Sequence, residues 1–199
     1  MRNKITLAMA AVGMMSTVTA FAESIPTTDA GQGTIQFIGS VIDAPCSIAP
    51  ESQNIQVNLG QVNLKTLDQK NKTSSTVPFT INLTGCSFEA PAEQSAAVKY
   101  SKVAVTFPGT NSPAGGASNG QIANGATDAA GSVVIQLLKG DGTSPVDLSK
   151  VPTEDDADNI QLDSTSATSK LQFYARMMAT GIATAGNVGA TVTYKLHYF

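Results

Sequence analysis

The stretch Ala190-Thr191-Val192-Thr193-Tyr194-Lys195-Leu196-His197-Tyr198-Phe199 alternates without a break. Ala190, Val192, Tyr194, Leu196 and Tyr198 share one parity, and the mostly polar residues between them share the other. A side-chain period of two belongs to a strand with one face on a core. The same pattern recurs upstream. Residues 171–178 put Leu171, Phe173, Ala175 and Met177 on one side; residues 102–107 do so with Val103, Val105 and Phe107. Residues 76–86 alternate through Val77, Phe79, Ile81 and Leu83, and residues 54–62 through Ile55, Val57 and Leu59. Residues 132–138 (SVVIQLL) are mainly apolar and rich in β-branched residues, as in a strand buried on both faces or simply central. Residues 34–42 read as a further strand with a kink glycine at Gly39. Strands this numerous, separated by Gly, Pro, Asn and Ser, predict an all-β antiparallel sandwich. Residues 63–72 and 149–156 could each form one helical turn, and no longer helical period appears.

Residues 109–131 are rich in Gly, Ala, Ser and Asn and long for a loop. Two readings stand side by side: a surface-exposed variable region, or a β-hairpin excursion with a flexible tip.

The first residues indicate the compartment. Arg2 and Lys4 precede an uncharged apolar stretch over residues 5–18, and Ala20-Phe21-Ala22 supplies small residues at both positions of an A-x-A cleavage site. This is the pattern of a secretory signal peptide, residues 1–22, cut before Glu23. An uncleaved N-terminal anchor is the alternative, although the apolar run falls short of the roughly 20 residues of a span. Cleavage leaves 177 of 199 residues, which suggests one domain. Arg2 and Lys4 leave with it, so twelve basic residues fall to ten against fifteen acidic ones, a net charge near −5. An acidic chain without a basic cluster excludes nucleic acid as a natural partner. Cys46 and Cys86 are the only cysteines, and an exported chain meets an oxidising compartment where such a pair becomes a disulfide. Closing the loop between them is worth roughly 4 kcal/mol on a chain-entropy model.

The residues that carry chemistry are sparse. His197 is the single histidine and lies on the polar parity of the last strand. A Ser-His-Asp triad needs all three roles filled, and a copper or zinc site needs several such ligands. A solvated strand histidine is the reading preferred. Glu154, Asp155, Asp156 and Asp158 cluster without the spacing or glycine of a calcium loop, which favours a charged, solvated turn. No metal, no cofactor and no enzymatic activity are expected.

The two ends of the chain carry more. Near the start, Gly33, Ile35, Phe37, Gly39 and Val41 recur at every second position, with Cys46 following Ala44-Pro45. Cys86 comes about 40 residues later, Phe173-Tyr174-Ala175-Arg176 forms a compact motif, Gly186 is fourteenth from the end and Tyr198 is penultimate. In order and spacing these resemble the pilins of the chaperone–usher pathway, the type 1 and P fimbrial major-subunit family, across essentially the whole mature chain. The resemblance implies an incomplete immunoglobulin-like β-sandwich lacking its final strand, completed by donor-strand exchange. It implies a 23–33 donor-strand extension and a 34–199 pilin domain. Donor residues would be Ile25, Thr27, Gly31, Gly33, Ile35 and Phe37, with Asp29 the polar exception on that parity. The groove and chaperone-binding strand would hold Gly186, Val192, Tyr194, Leu196 and Tyr198. Implied partners are a periplasmic pilus chaperone, an outer-membrane usher and identical or related pilin subunits, and the location is the cell-surface fimbrium. The main expectation is a structural shaft subunit. A minor or adaptor pilin is its rival, and a non-polymerising periplasmic β-sandwich that binds a small ligand is a remote one. On composition alone, residues 23–33 also read as an ordinary N-terminal tail.

Overall fold

The computed structural model describes residues 33–42, 44–88 and 100–199. The signal peptide and the donor positions Ile25, Thr27 and Gly31 lie outside these residues. The chain divides into two compact units, residues 1–40 and 41–199.

The larger unit is a β-sandwich. One sheet holds five strands in the order β1 (Ser47–Ile48), β2 (Val77–Thr84), β7 (Thr168–Ala179), β5 (Val133–Leu138), β4 (Gln121–Ala123). The other holds three: β6 (Ile160–Gln161), β3 (Lys102–Thr106), β8 (Lys195–Tyr198). Every pairing within the sheets is antiparallel. The spine is β7. It pairs along one edge with β2, from Val77↔Ala175 to Thr84↔Thr168, and along the other with β5, from Val133↔Ala179 to Leu138↔Tyr174.

The predicted parities explain the packing. Leu171, Phe173, Ala175 and Met177 on β7 are buried, as are Ile81 and Leu83 on β2. Phe173 meets Phe107, just past β3, edge-on at 6.0 Å between ring centroids, and stacks on Phe79 at 5.8 Å. One apolar layer thus joins the two sheets. Strand β5 is buried at every residue, as its mostly apolar run predicts. Gln136 is its one polar member. Arg176 Nε donates to its Oε1 at 2.9 Å, and its Nε2 donates to the Asn119 carbonyl at 3.0 Å. Cys46 and Cys86 are disulfide-bonded, tying the start of the domain to the end of β2.

Three stretches predicted as strands depart from that reading. Residues 34–42 carry no strand, and neither do residues 54–62. The final strand is confined to Lys195–Tyr198, so residues 190–194 lie outside it. In each case alternation is present and a ladder partner is missing. Alternation fixes which side chains share a face, whereas a strand also needs a neighbouring backbone.

Residues 109–131 contribute to a β-hairpin, β4 pairing antiparallel with the next strand β5, in line with one of the two readings. They hold a 3-10 turn, Ala117–Asn119, and strand β4 paired to β5. Gly120 sits at φ +68°, where a Cβ would meet the Leu137 carbonyl at 2.4 Å, so the turn is packed tightly against the sheet. Leu64–Leu67 forms a 3-10 turn within residues 63–72; residues 149–156 hold no helix.

Candidate functional site

An open groove of about 1230 Å³ runs along the sandwich. Its first wall is the stretch 54–62. Ile55, Val57, Leu59 and Val62 turn half-buried side chains inward, while Asn54, Gln56, Asn58 and Gln61 are exposed. The second wall is the stretch 186–194, where Val188, Val192 and Tyr194 are half-buried against exposed Thr191 and Thr193. Phe79, Phe107, Ile122, Ile135 and Leu137 form the floor.

Neither residues 55–62 of the first wall nor residues 190–194 of the second are in a ladder. Among the described residues, the backbone of 55–62 and of 190–194 makes no backbone–backbone hydrogen bond. Buried backbone donors and acceptors are almost always paired, and an unpaired edge is a template for another strand. Two such edges flanking an apolar floor present the free backbone and apolar surface to which a further strand adds.

The ends of the slot are fixed. At one end the Tyr194 hydroxyl donates to the Ser52 carbonyl at 2.7 Å. Burial pushes the Tyr194 phenol up, which keeps it protonated as a donor. At the other end Gly186 presses against the 128–130 backbone. A Cβ there would stand 2.5 Å from Ala130 N and 2.6 Å from Asp128 O.

Of the residues predicted for the groove, Gly186, Val192 and Tyr194 line it. Leu196 and Tyr198 do not line the cavity; they continue along β8, opposite Val105 and Val103. The Tyr198 hydroxyl is buried without a hydrogen-bond partner, and burial, with the neighbouring Tyr194, pushes its pKa up to about 12. Of the predicted donor residues within the described segments, Ile35 and Phe37 are 78 and 89 % exposed. Sequence reasoning did not assign Ile55, Val57 and Leu59 to the groove. Their alternation was visible, but an ordinary strand and a groove wall carry the same pattern.

The remaining candidates resolve into structure. His197 Nε2 lies 2.9 Å from Thr106 Oγ1, a cross-strand contact. Gly116-Ala117-Ser118-Asn119-Gly120 does spell the G-x-S-x-G of a nucleophile elbow. That motif requires a sharp strand-to-helix turn, and Ser118 sits instead in a 3-10 turn that leads into β4. Lys150 binds Asp156 at 2.6 Å and Asp158 at 2.8 Å, and Lys139 also binds Asp158. The acidic cluster is therefore a salt-bridged surface turn.

Comparison with known proteins agrees with this geometry. A model of the family described as "Fimbrial protein" matches residues 35–198. The F17 fimbrial protein of Escherichia coli is 33% identical over 177 residues, covering 89% of this chain and 93% of its own length. The type-1 fimbrial protein A chain of Escherichia coli K12 is 32% identical over 194 residues, covering 97% of both chains. Among solved structures, a chaperone–usher pilus subunit aligns with a TM-score of 0.63 at 23% identity, covering 88% of this chain and all of that one. The P pilus rod subunit PapA aligns with a TM-score of 0.55 at 21% identity, covering 78% and 100%. The shared fold is the immunoglobulin-like sandwich short of one strand. Proteins of this family are structural components of cell-surface fimbriae, not enzymes. The chain belongs to the fimbrial protein family.

Proposed function

We propose that the groove accepts the N-terminal segment of a neighbouring subunit as its missing strand, and that this chain is the main shaft pilin of its fibre. The observation that carries the reading is the pair of unpaired wall stretches, 55–62 and 190–194, over one apolar floor. After removal of residues 1–22, residues 23–33 serve as the donor extension of the domain 34–199, with side chains as far as Phe37 entering the groove. Ile25, Thr27, Gly31, Gly33, Ile35 and Phe37 share the parity that faces the floor. Asp29 is the polar exception on that parity and Pro26 lacks an N–H, so the early part of the donor binds less tightly than Ile35 and Phe37. Burying each of those two side chains stabilises the joint by about 1.5–3 kcal/mol.

An open apolar groove would aggregate if left uncovered. A periplasmic chaperone covers it first, and at the outer-membrane usher the next subunit replaces the chaperone. The shaft role is supported by the relatives: the type-1 A chain matches over 97% of its length, and PapA is a rod subunit.

Deletion of residues 23–33 tests the reading. The truncated subunit accumulates with its chaperone as a monomer and forms no multimers that resist dodecyl sulfate. Multimers from the truncated subunit overturn the donor assignment. Electron microscopy of cells lacking the gene shows loss of the whole fibre; fibres of normal length and number overturn the shaft role.

A further inference from the structure

We infer that Asn124 is a positioning residue for the groove, holding the C-terminal wall at the spacing an incoming strand requires; the inference rests on the strand-accepting reading. Residues 190–194 make no backbone hydrogen bond, so their place is set from their two ends. One end is β8, paired to β3. The other is residues 186–189, and these are gripped by the loop 124–130.

Asn124 is the centre of that grip. Its Nδ2 donates to the Asn187 carbonyl at 2.8 Å and to the Ala130 carbonyl at 3.3 Å. Its Oδ1 accepts from Gly189 N at 3.0 Å and Ala126 N at 3.2 Å. One side chain thus fixes the residues on both sides of Val188, which packs against both apolar clusters of the domain. Backbone bonds complete the clasp: Gly125 N to Gly189 O at 2.9 Å, Asn187 N to Asp128 O at 2.8 Å and Ala130 N to Asn187 O at 2.8 Å. Gly186 supplies the close approach that these bonds need.

The site requires an amide. Two carbonyls face the NH2 and two N–H groups face the oxygen, so the two ends of the side chain are not interchangeable. A carboxylate has nearly the same shape but sets an anionic oxygen against the Asn187 and Ala130 carbonyls. It becomes a donor only when protonated. Asp128 is the sole titratable residue of residues 124–130 and 186–190, and it is present in every variant compared. Asn119 is the control. It precedes a glycine as Asn124 does, and it engages Gln136 through its backbone carbonyl.

The test is the half-life of purified fibres, assembled from full-length subunits, in a fixed concentration of guanidinium at pH 7 and at pH 4. Asn124→Asp fibres dissociate about tenfold faster than wild type at pH 7, equivalent to roughly 1.4 kcal/mol, and the ratio shrinks at pH 4. Asn119→Asp fibres match wild type at both. If Asn124→Asp yields no fibre, Asn124→Ala is read instead, and dissociates several-fold faster with a ratio independent of pH. A half-life of Asn124→Asp equal to wild type at pH 7, or a deficit of the same size at both pH values, overturns the inference, as does an Asn124→Ala half-life equal to wild type. Failure of the wild-type subunit to form fibres at all would instead count against the strand-accepting reading.

Discussion

The Tyr194 hydroxyl donates to the backbone carbonyl of Ser52 at 2.7 Å, across 142 positions of sequence. The bond ties the wall at 186–194 to the turn that feeds the wall at 54–62. Ser52 is almost wholly buried and works twice, since its Oγ also accepts Asn82 N at 2.9 Å on β2. Tyr194→Phe removes one donor and leaves a buried carbonyl unpaired, which costs about 1–2 kcal/mol; Ser52→Ala orphans the Asn82 N–H at a similar cost. Guanidinium unfolding of the subunit measures both. Midpoints equal to wild type in both variants would show that the two walls do not depend on this contact.

Gly186 allows a second test by sterics alone. A methyl group there meets backbone on the 128–130 loop at 2.5–2.7 Å, whereas at Gly189 it meets only the Ala126 Cβ at 3.7 Å. Neither position has the positive φ that would strain an alanine. Gly186→Ala therefore lowers the periplasmic yield of subunit sharply, and Gly189→Ala leaves it near wild type. Equal yields would mean that the wall can shift without loss.

The phenols predict behaviour in alkali. A tyrosine in an unfolded chain titrates near pH 10. Burial, and secondarily Tyr194, pushes Tyr198 up to about 12, and burial also raises Tyr194. The folded state keeps these protons longer than the unfolded state does. Their contribution to stability is therefore complete below about pH 10 and is lost as pH climbs towards 12. Phenolate absorbance shows delayed titration, and the guanidinium midpoint falls across that window. Tyr198→Phe flattens the fall; an unchanged slope would place the effect elsewhere.

Much of the fold was legible from parity. The buried faces of β2, β3 and β7 follow from Ile81, Val103 and Leu171 and their alternate neighbours, and β5 follows from an apolar run broken only by Gln136. The cysteine pair followed from the export signal. What parity could not supply was pairing. Residues 54–62 and 190–194 alternate as cleanly as β7, yet among the described residues no backbone pairs with 55–62 or with 190–194. Sequence therefore located the C-terminal wall, through its resemblance to pilins, and missed Ile55, Val57 and Leu59 opposite. Within residues 109–131 the hairpin was legible, but the tight packing of the 117–120 turn was not, because glycine suggests freedom. At Gly120 the absent Cβ instead makes room for the Leu137 carbonyl.

Hydrogen exchange read residue by residue tests the account most directly. The subunit lacking residues 23–33 is compared with and without a synthetic peptide of residues 23–37. Without peptide, the amides of 55–62 and 190–194 exchange fast, because no ladder holds them. With peptide, amides in both walls slow together, by the margin expected of strands in a sheet, while those of β5 and β7 are protected throughout. Exchange in the two walls that is unchanged by the peptide, or slowed in one wall only, would contradict the claim that the groove is the place of the missing strand.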